Sequence, residues 1–176
     1  LPLSSAVYKL ARILETPDNN SIWVWLNDSL FRYKPDGSLV SRVLLPAGEA
    51  LYDGSWMADG PSDLWLVSSD TMLYRIVNGQ LAAKRRLPFR RPNFVLKGHD
   101  DDLWIGTIEG LLRISTKRFL TDDFTVYTSE NGLPKRPVIA GVFDREQNLW
   151  MGLANDGLLK LSNQSLVTFP FKDIPP

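Results

Sequence analysis

Four tryptophans along the chain each open the same phrase: Trp23 in "SIWVWLNDSLFRY", Trp65 in "DLWLVSSDTMLYRI", Trp104 in "DLWIGTIEGLLRI" and Trp150 in "NLWMGLANDGLLKL". Their spacings are 42, 39 and 46 residues. Seven or eight residues past each tryptophan comes an apolar pair, then a cation, then another apolar residue: Leu30-Phe31-Arg32-Tyr33, Leu73-Tyr74-Arg75-Ile76, Leu111-Leu112-Arg113-Ile114 and Leu158-Leu159-Lys160-Leu161. A Leu-Pro pair precedes every tryptophan, at Leu1-Pro2, Leu45-Pro46, Leu87-Pro88 and Leu133-Pro134. Chance rarely repeats three markers in order four times, so the chain is a tandem array.

The unit reads as strands. Between Leu-Pro and the tryptophan lies an apolar, β-prone run such as "FVLKG" or "VIAGVF", closed by polar turn residues at Asp18-Asn19-Asn20, Asp59-Gly60-Pro61, His99-Asp100-Asp101 and Asp144 to Gln147. The tryptophan strand follows, then turn residues at Asn27-Asp28, Ser69-Asp70, Glu109-Gly110 and Asn155 to Gly157. The cation strand, a further turn and a last run such as "LVSRVLL" or "FTVYT" complete it. No stretch holds a helical period over about 12 residues. Four antiparallel strands per roughly 40 to 50 residues is the make-up of a propeller blade. The expectation is an all-β fold of four blades, over residues 1–44, 45–86, 87–132 and 133–176. Each tryptophan would bury on the order of 200 Å² between neighbouring blades. The glycines of "IGT" and "MGL" would admit a close neighbour.

Composition excludes several alternatives. With 44% hydrophobic and 11% aromatic residues, the chain can bury a core. Twenty Lys plus Arg balance twenty Asp plus Glu, so no overall field favours nucleic acid or an anionic membrane. Cysteine is absent and His99 is the one histidine, which leaves thiolate or imidazole metal sites and a Ser/His/Asp triad poorly supplied. No metal and no cofactor are expected. The acidic clusters at His99 to Asp102 and Asp144 to Asn148 follow no Ca²⁺-loop spacing and read as turn chemistry. No apolar run reaches the roughly 20 residues of a membrane-spanning helix.

"LWIGTIEGLLRIS" and "FTVYTSENGLPKRPVIAGVFDREQNLWMGL" resemble two successive repeats of the two-component regulator propeller family, over Leu103 to Leu161. That family's pattern is Leu-Trp-Ile-Gly-Thr, Gly-Leu, a cation strand, a Tyr-Thr strand, Gly-Leu-Pro, then Asp-x-x-Gly-Asn before the next Leu-Trp. The first two repeats depart from it at Trp25-Leu26 and Val67-Ser68, and the fourth has Gln147 where the pattern has glycine. The resemblance implies a non-catalytic, ligand-sensing module on the periplasmic or extracellular side of a bacterial membrane receptor. It also implies a membrane helix, with a histidine kinase or cyclic-dinucleotide synthase beyond it. Fold alone does not establish this, since propellers also host lyases, hydrolases and protein-binding scaffolds.

A site must come from particular residues. In a propeller the connections between blades, together with the turns between second and third strands, surround one mouth. Two such connections are basic, Arg90 and Arg91 in "LPFRRP" and Lys135 and Arg136 in "LPKRP", with Lys84, Arg85 and Arg86 just before the first pair. Equivalent positions on adjacent blades bring these cations toward one another. Arginine forks suit carboxylate, sulfate or phosphate, so a small anionic or sugar-like ligand is the expected partner. Acidic residues of the second-to-third-strand turns, Asp28, Asp70, Glu109 and Asp156, compete as internal partners; Glu109 and Asp156 join the candidate set. Phe89 and Phe119 are expected at the surface.

A blade buries its faces only against neighbours, and a row of four has two uncovered faces. The chain begins at a Leu-Pro boundary and ends in "TFPFKDIPP" after the last blade's fourth run. The expectation is a ring of about six to eight blades, completed by further residues of the same protein or by a second copy.

Overall fold

The computed structural model describes residues 11–26, 28–46, 54–162 and 165–170. Over these the strands pair only with their sequence neighbours, giving four antiparallel four-stranded sheets. The first holds β1 (Ala11–Glu15), β2 (Ile22–Leu26), β3 (Ser29–Tyr33) and β4 (Leu39–Leu44). The second holds β5 (Ser55–Ala58), β6 (Leu64–Val67), β7 (Met72–Val77) and β8 (Gln80–Arg86). The third holds β9 (Pro92–Lys97), β10 (Asp102–Thr107), β11 (Leu111–Ser115) and β12 (Phe124–Tyr127). The fourth holds β13 (Val138–Phe143), β14 (Leu149–Leu153), β15 (Gly157–Ser162) and β16 (Ser165–Pro170). Single 3₁₀ turns at Thr116–Arg118 and Ser129–Asn131 are the helical elements among the described residues. Leu1-Pro2, Asn27 and the residues from 171 onward, all used in the sequence reading, lie outside the described residues.

The register explains the recurring phrase. Each tryptophan stands directly opposite the recurring cation: Trp23 with Arg32, Trp65 with Arg75, Trp104 with Arg113 and Trp150 with Lys160. Directly opposed side chains share one face of the sheet, so the cation lies over the ring. Arg75, Arg113 and Lys160 sit 4.6, 5.2 and 5.1 Å from their ring centroids. Arg32 instead donates to Ser21 Oγ at 2.9 Å and to Ser62 of the second sheet.

The first strands of successive sheets lie side by side, as the innermost strands of propeller blades do. Donors stitch them across the seams: Arg12 to the Gly54 carbonyl, the Val95 N–H to Ser55 Oγ at 3.1 Å, and Asn93 Nδ2 to the Val138 carbonyl at 2.9 Å. Three apolar cores fill the seams, each built from the tryptophan face of one sheet and the opposite face of the next. Trp23, Trp25 and Leu30 meet Leu64, Leu66, Tyr74 and Ile76. Trp65, Val67 and Leu73 meet Val95, Leu103, Ile105, Leu112 and Ile114. Trp104 and Leu111 meet Leu149, Met151, Leu159 and Leu161, with Phe94 between them. Gly106 is required there, because a Cβ on it would lie 2.1 Å from Phe94 Cε1; Gly152 of "MGL" has no such neighbour.

The Leu-Pro marker has its own part. Leu45, Leu87 and Leu133 are buried, one in each seam. Leu45 and Leu87 also donate their N–H to the carbonyls of Asp28 and Thr71 at 2.8 Å, tying each connection to the turn beside it. One expectation fails. Phe119 is buried against Trp65, edge to face at 4.9 Å, and Phe89 packs on the same core, so the pair is not a surface feature. The 3₁₀ turn after β11 folds Phe119 back over the preceding sheet.

The outer sheets keep one apolar face each. Ile22, Val24, Phe31 and Tyr33 occupy the positions that Leu64, Leu66, Tyr74 and Ile76 occupy in the second sheet, but Ile22 is exposed and the other three are only half-buried, with Phe31 stacked on Tyr33 and capped by Arg42 at 5.3 Å. On the fourth sheet the corresponding tryptophan face carries Trp150, stacked on Phe169 at 5.4 Å, beside exposed Val142, Leu158 and Val167.

Candidate functional site

Antiparallel order places the connections between sheets and the second-to-third-strand turns at one end, and the first-to-second-strand turns at the other. At the connection end of the second seam, Arg86, Leu87, Pro88, Phe89, Arg90 and Arg91 curl around the Ser69 to Thr71 turn and enclose a hollow of about 430 Å³. Arg86 is committed to that turn, donating to the Asp70 carbonyl at 3.0 Å and to Thr71 Oγ1 at 3.2 Å. The Asp70 carboxylate is taken by Ser68 Oγ. Arg90 and Arg91 are exposed and form no ion pair among the described residues. Arg91 holds φ 47°, a left-handed conformation costing about 1 kcal/mol for a residue with a Cβ.

The third seam differs. Arg136 lies 3.7 Å from Asp156, with both side chains substantially exposed, and Lys135 is exposed beside it. Such a pair contributes little to stability. Glu109 is exposed, and only its backbone N–H is bonded, to Thr107 Oγ1 at 3.1 Å. The structure thus joins Arg90 with Arg91 and Arg136 with Asp156. No hydrogen bond or ion pair links the two groups among the described residues.

Charge is organised more tightly at the opposite end. Asp59 is nearly buried and receives Trp65 Nε1 at 3.1 Å, Arg75 Nη1 at 3.0 Å and, from the next sheet, Lys97 Nζ at 2.7 Å. The Asp59 hydrogen bond holds the Lys97 pKa above its ordinary value against the pull of desolvation, and Lys97 in turn lowers that of Asp101. Asp144 plays the matching part in the fourth sheet, receiving Trp150 Nε1 at 2.7 Å and Asn148 Nδ2 at 2.8 Å. In the sequence both aspartates read as turn residues, and their part as indole acceptors is not apparent there. The available signal was an aspartate six residues before the tryptophan in two of four repeats. His99 is an exposed turn residue as expected, while Asp100 and Asp102 pair with Arg113 at 3.2 and 2.6 Å.

No family model matches the chain, and no curated protein matches it. Solved structures do. Virginiamycin B lyase from Staphylococcus aureus superimposes with a TM-score of 0.71 at 18% identity, over 97% of this chain and 57% of the lyase. The extracellular domain assigned to the hybrid two component system BT3049 of B. thetaiotaomicron gives 0.72 at 19% identity, over 94% of this chain and 24% of that one. The extracellular domain assigned to the one component system BT4673 of the same organism gives 0.71 at 13%, over 91% and 24%. These likenesses define an all-β chain of propeller blades that spans little more than half of one such protein and a quarter of the others.

Proposed function

We propose that the chain is a ligand-sensing propeller segment from the extracytoplasmic side of a bacterial signal-transduction receptor, binding a small anion at its connection end and doing no chemistry itself. The observation that carries this reading is the pair Arg90 and Arg91, exposed, free of internal carboxylates and held at the lip of a hollow. The likeness to two extracellular sensor domains supports the receptor setting. Among the described residues no helix is long and apolar enough to cross a membrane. Guanidinium forks bind oxyanions in two-point geometry, and an exposed pair without internal partners keeps that capacity for a ligand.

Titration calorimetry with sulfate and with acidic sugars tests the reading. Arg91→Glu is expected to weaken binding at least tenfold, and Arg136→Glu less, because Asp156 already engages Arg136. Unchanged affinity in both variants would overturn the anion site. A second reading, a protein-interaction scaffold, draws on the apolar faces of the outer sheets. It predicts that a partner protein, not an anion, protects those faces from hydrogen exchange.

A further inference from the structure

A second hollow lies at the opposite end, in the seam between the third and fourth sheets, and it exists because one repeat breaks the pattern. Six residues before Trp65 and Trp150 stand Asp59 and Asp144, each accepting its indole N–H. Six residues before Trp104 stands Gly98. A Cβ built there would lie 3.0 Å from Trp104 Nε1, so position 98 aims at the indole as its counterparts do and lacks only the carboxylate. The facing residue changes with it. Lys97, which pairs with Leu103 and holds Asp59, corresponds to Phe143, which pairs with Leu149. A salt-bridged seam has become a hollow of about 490 Å³ walled by Trp104, Tyr127 and Phe143, with Arg113, Asp100 and Glu146 at its polar side.

Trp104 is 8% exposed and lines the hollow, and its indole N–H lacks the carboxylate acceptor that Trp65 and Trp150 have. In the first repeat Pro17 also replaces the aspartate, but Trp23 is fully buried and its N–H is sealed from any ligand. The third seam therefore combines an open space with an indole donor that lacks this carboxylate.

We propose that this hollow binds a neutral, polyhydroxylated small molecule whose oxygen accepts from Trp104 in the place of the missing carboxylate. Charge selects neutral over anionic. Arg113 is already engaged by Asp102 and Asp100, and Glu146 adds a further carboxylate, so an incoming anion would face the charges of Asp100 and Glu146 with the one arginine of the lining already paired. A hydroxyl fits both needs, accepting from the indole while neighbouring hydroxyls donate to Asp100 or Glu146. Phe143 and Tyr127 supply an apolar wall for a C–H face, and the volume falls within the range of small-molecule sites, about 300–1,000 Å³. This site is separate from the arginine lip, at the other end of the sheets and with the opposite preference for ligand charge.

The test follows the Trp104 indole N–H resonance of the ¹⁵N-labelled chain, identified by its loss in Trp104→Phe, during titration with methyl glucoside and with sodium glucuronate to roughly 50 mM. The expected result is a saturable shift with the glucoside, affinity for glucuronate lower by roughly fivefold or more, and loss of the shift in Gly98→Asp. Gly98→Ala, which crowds the indole without adding charge, is expected to weaken the response as well, and serves if Gly98→Asp does not fold. No shift with the glucoside, a preference for glucuronate, or a full response in a folded Gly98→Asp chain would each overturn the proposal. Arg91→Glu should leave this titration unchanged, so a failure at either end is distinguishable from a failure at the other.

Discussion

Removing the Asp59 carboxylate tests whether the seams owe their stability to side-chain clamps as well as to apolar packing. Asp59→Ala deletes an acceptor, 11% exposed, that serves Trp65, Arg75 and Lys97 at 3.1, 3.0 and 2.7 Å. Breaking a buried ion pair by removing one member costs about 3–5 kcal/mol. Two features reduce this: Arg75 keeps Asp63 at 3.1 Å, and Lys97 keeps Asp101 at 3.0 Å. The expected loss is therefore about 2–3 kcal/mol, which for a chain of this size lowers Tm by roughly 5–10 °C. Thermal unfolding followed by circular dichroism, with denaturant titration beside it, reads both quantities. A double-mutant cycle with Lys97→Met should give a coupling of about 1 kcal/mol or more, since the two side chains meet across sheets. Asp156→Ala is the control, because its partner lies 3.7 Å away in solvent and the expected loss is under about 0.5 kcal/mol. An Asp59→Ala loss below about 1 kcal/mol, or one equal to that of Asp156→Ala, would refute the clamp.

Three further outcomes follow from the same geometry. For Asp144, burial pushes the carboxyl pKa up, but hydrogen bonds from Asn148 and Trp150 outweigh it and hold the pKa at about 2, below the ordinary 3.8. A depressed folded pKa stabilises above the unfolded value and is lost as pH falls toward 2, so Tm of the native chain should drop more steeply between pH 4 and 2 than that of Asp144→Asn. Gly106→Ala should destabilise by about 1–3 kcal/mol in denaturant titration, because its Cβ meets Phe94 at 2.1 Å. The outer faces bearing exposed Val142 and Ile22 should make the isolated chain associate with rising concentration in light scattering, and Val142→Asp should suppress this; a monomer throughout would show that the faces are self-sufficient.

Blades were legible in the sequence because tryptophan and cation face each other across one strand pair, so the two recur together in every repeat. The cation's role was less so: that Arg75, Arg113 and Lys160 lie over the rings depends on cross-strand register, which linear spacing alone does not display. Asp59 and Asp144 were hidden by ambiguity, since aspartate before a strand serves a turn equally well. Both roles hold at once in Asp144, which also accepts the Asn148 N–H at 2.8 Å. Phe119 was misplaced because its partner, Trp65, belongs to the previous repeat, and a contact between repeats leaves no local pattern. The basic connections were visible, but their pairing was not: Asp156 reaches Arg136 while Asp70 turns to Ser68, a distinction of side-chain direction between equivalent turns.

The reading of the connection end as an anion receptor meets its most direct test in a crystal of the chain soaked in sulfate. The account predicts one sulfate at the lip of the hollow lined by Arg90 and Arg91, with the two guanidinium groups donating to it and Arg86 still bonded to the Asp70 carbonyl. An unoccupied lip at saturating sulfate, or a sulfate bound only at lattice contacts, would contradict it.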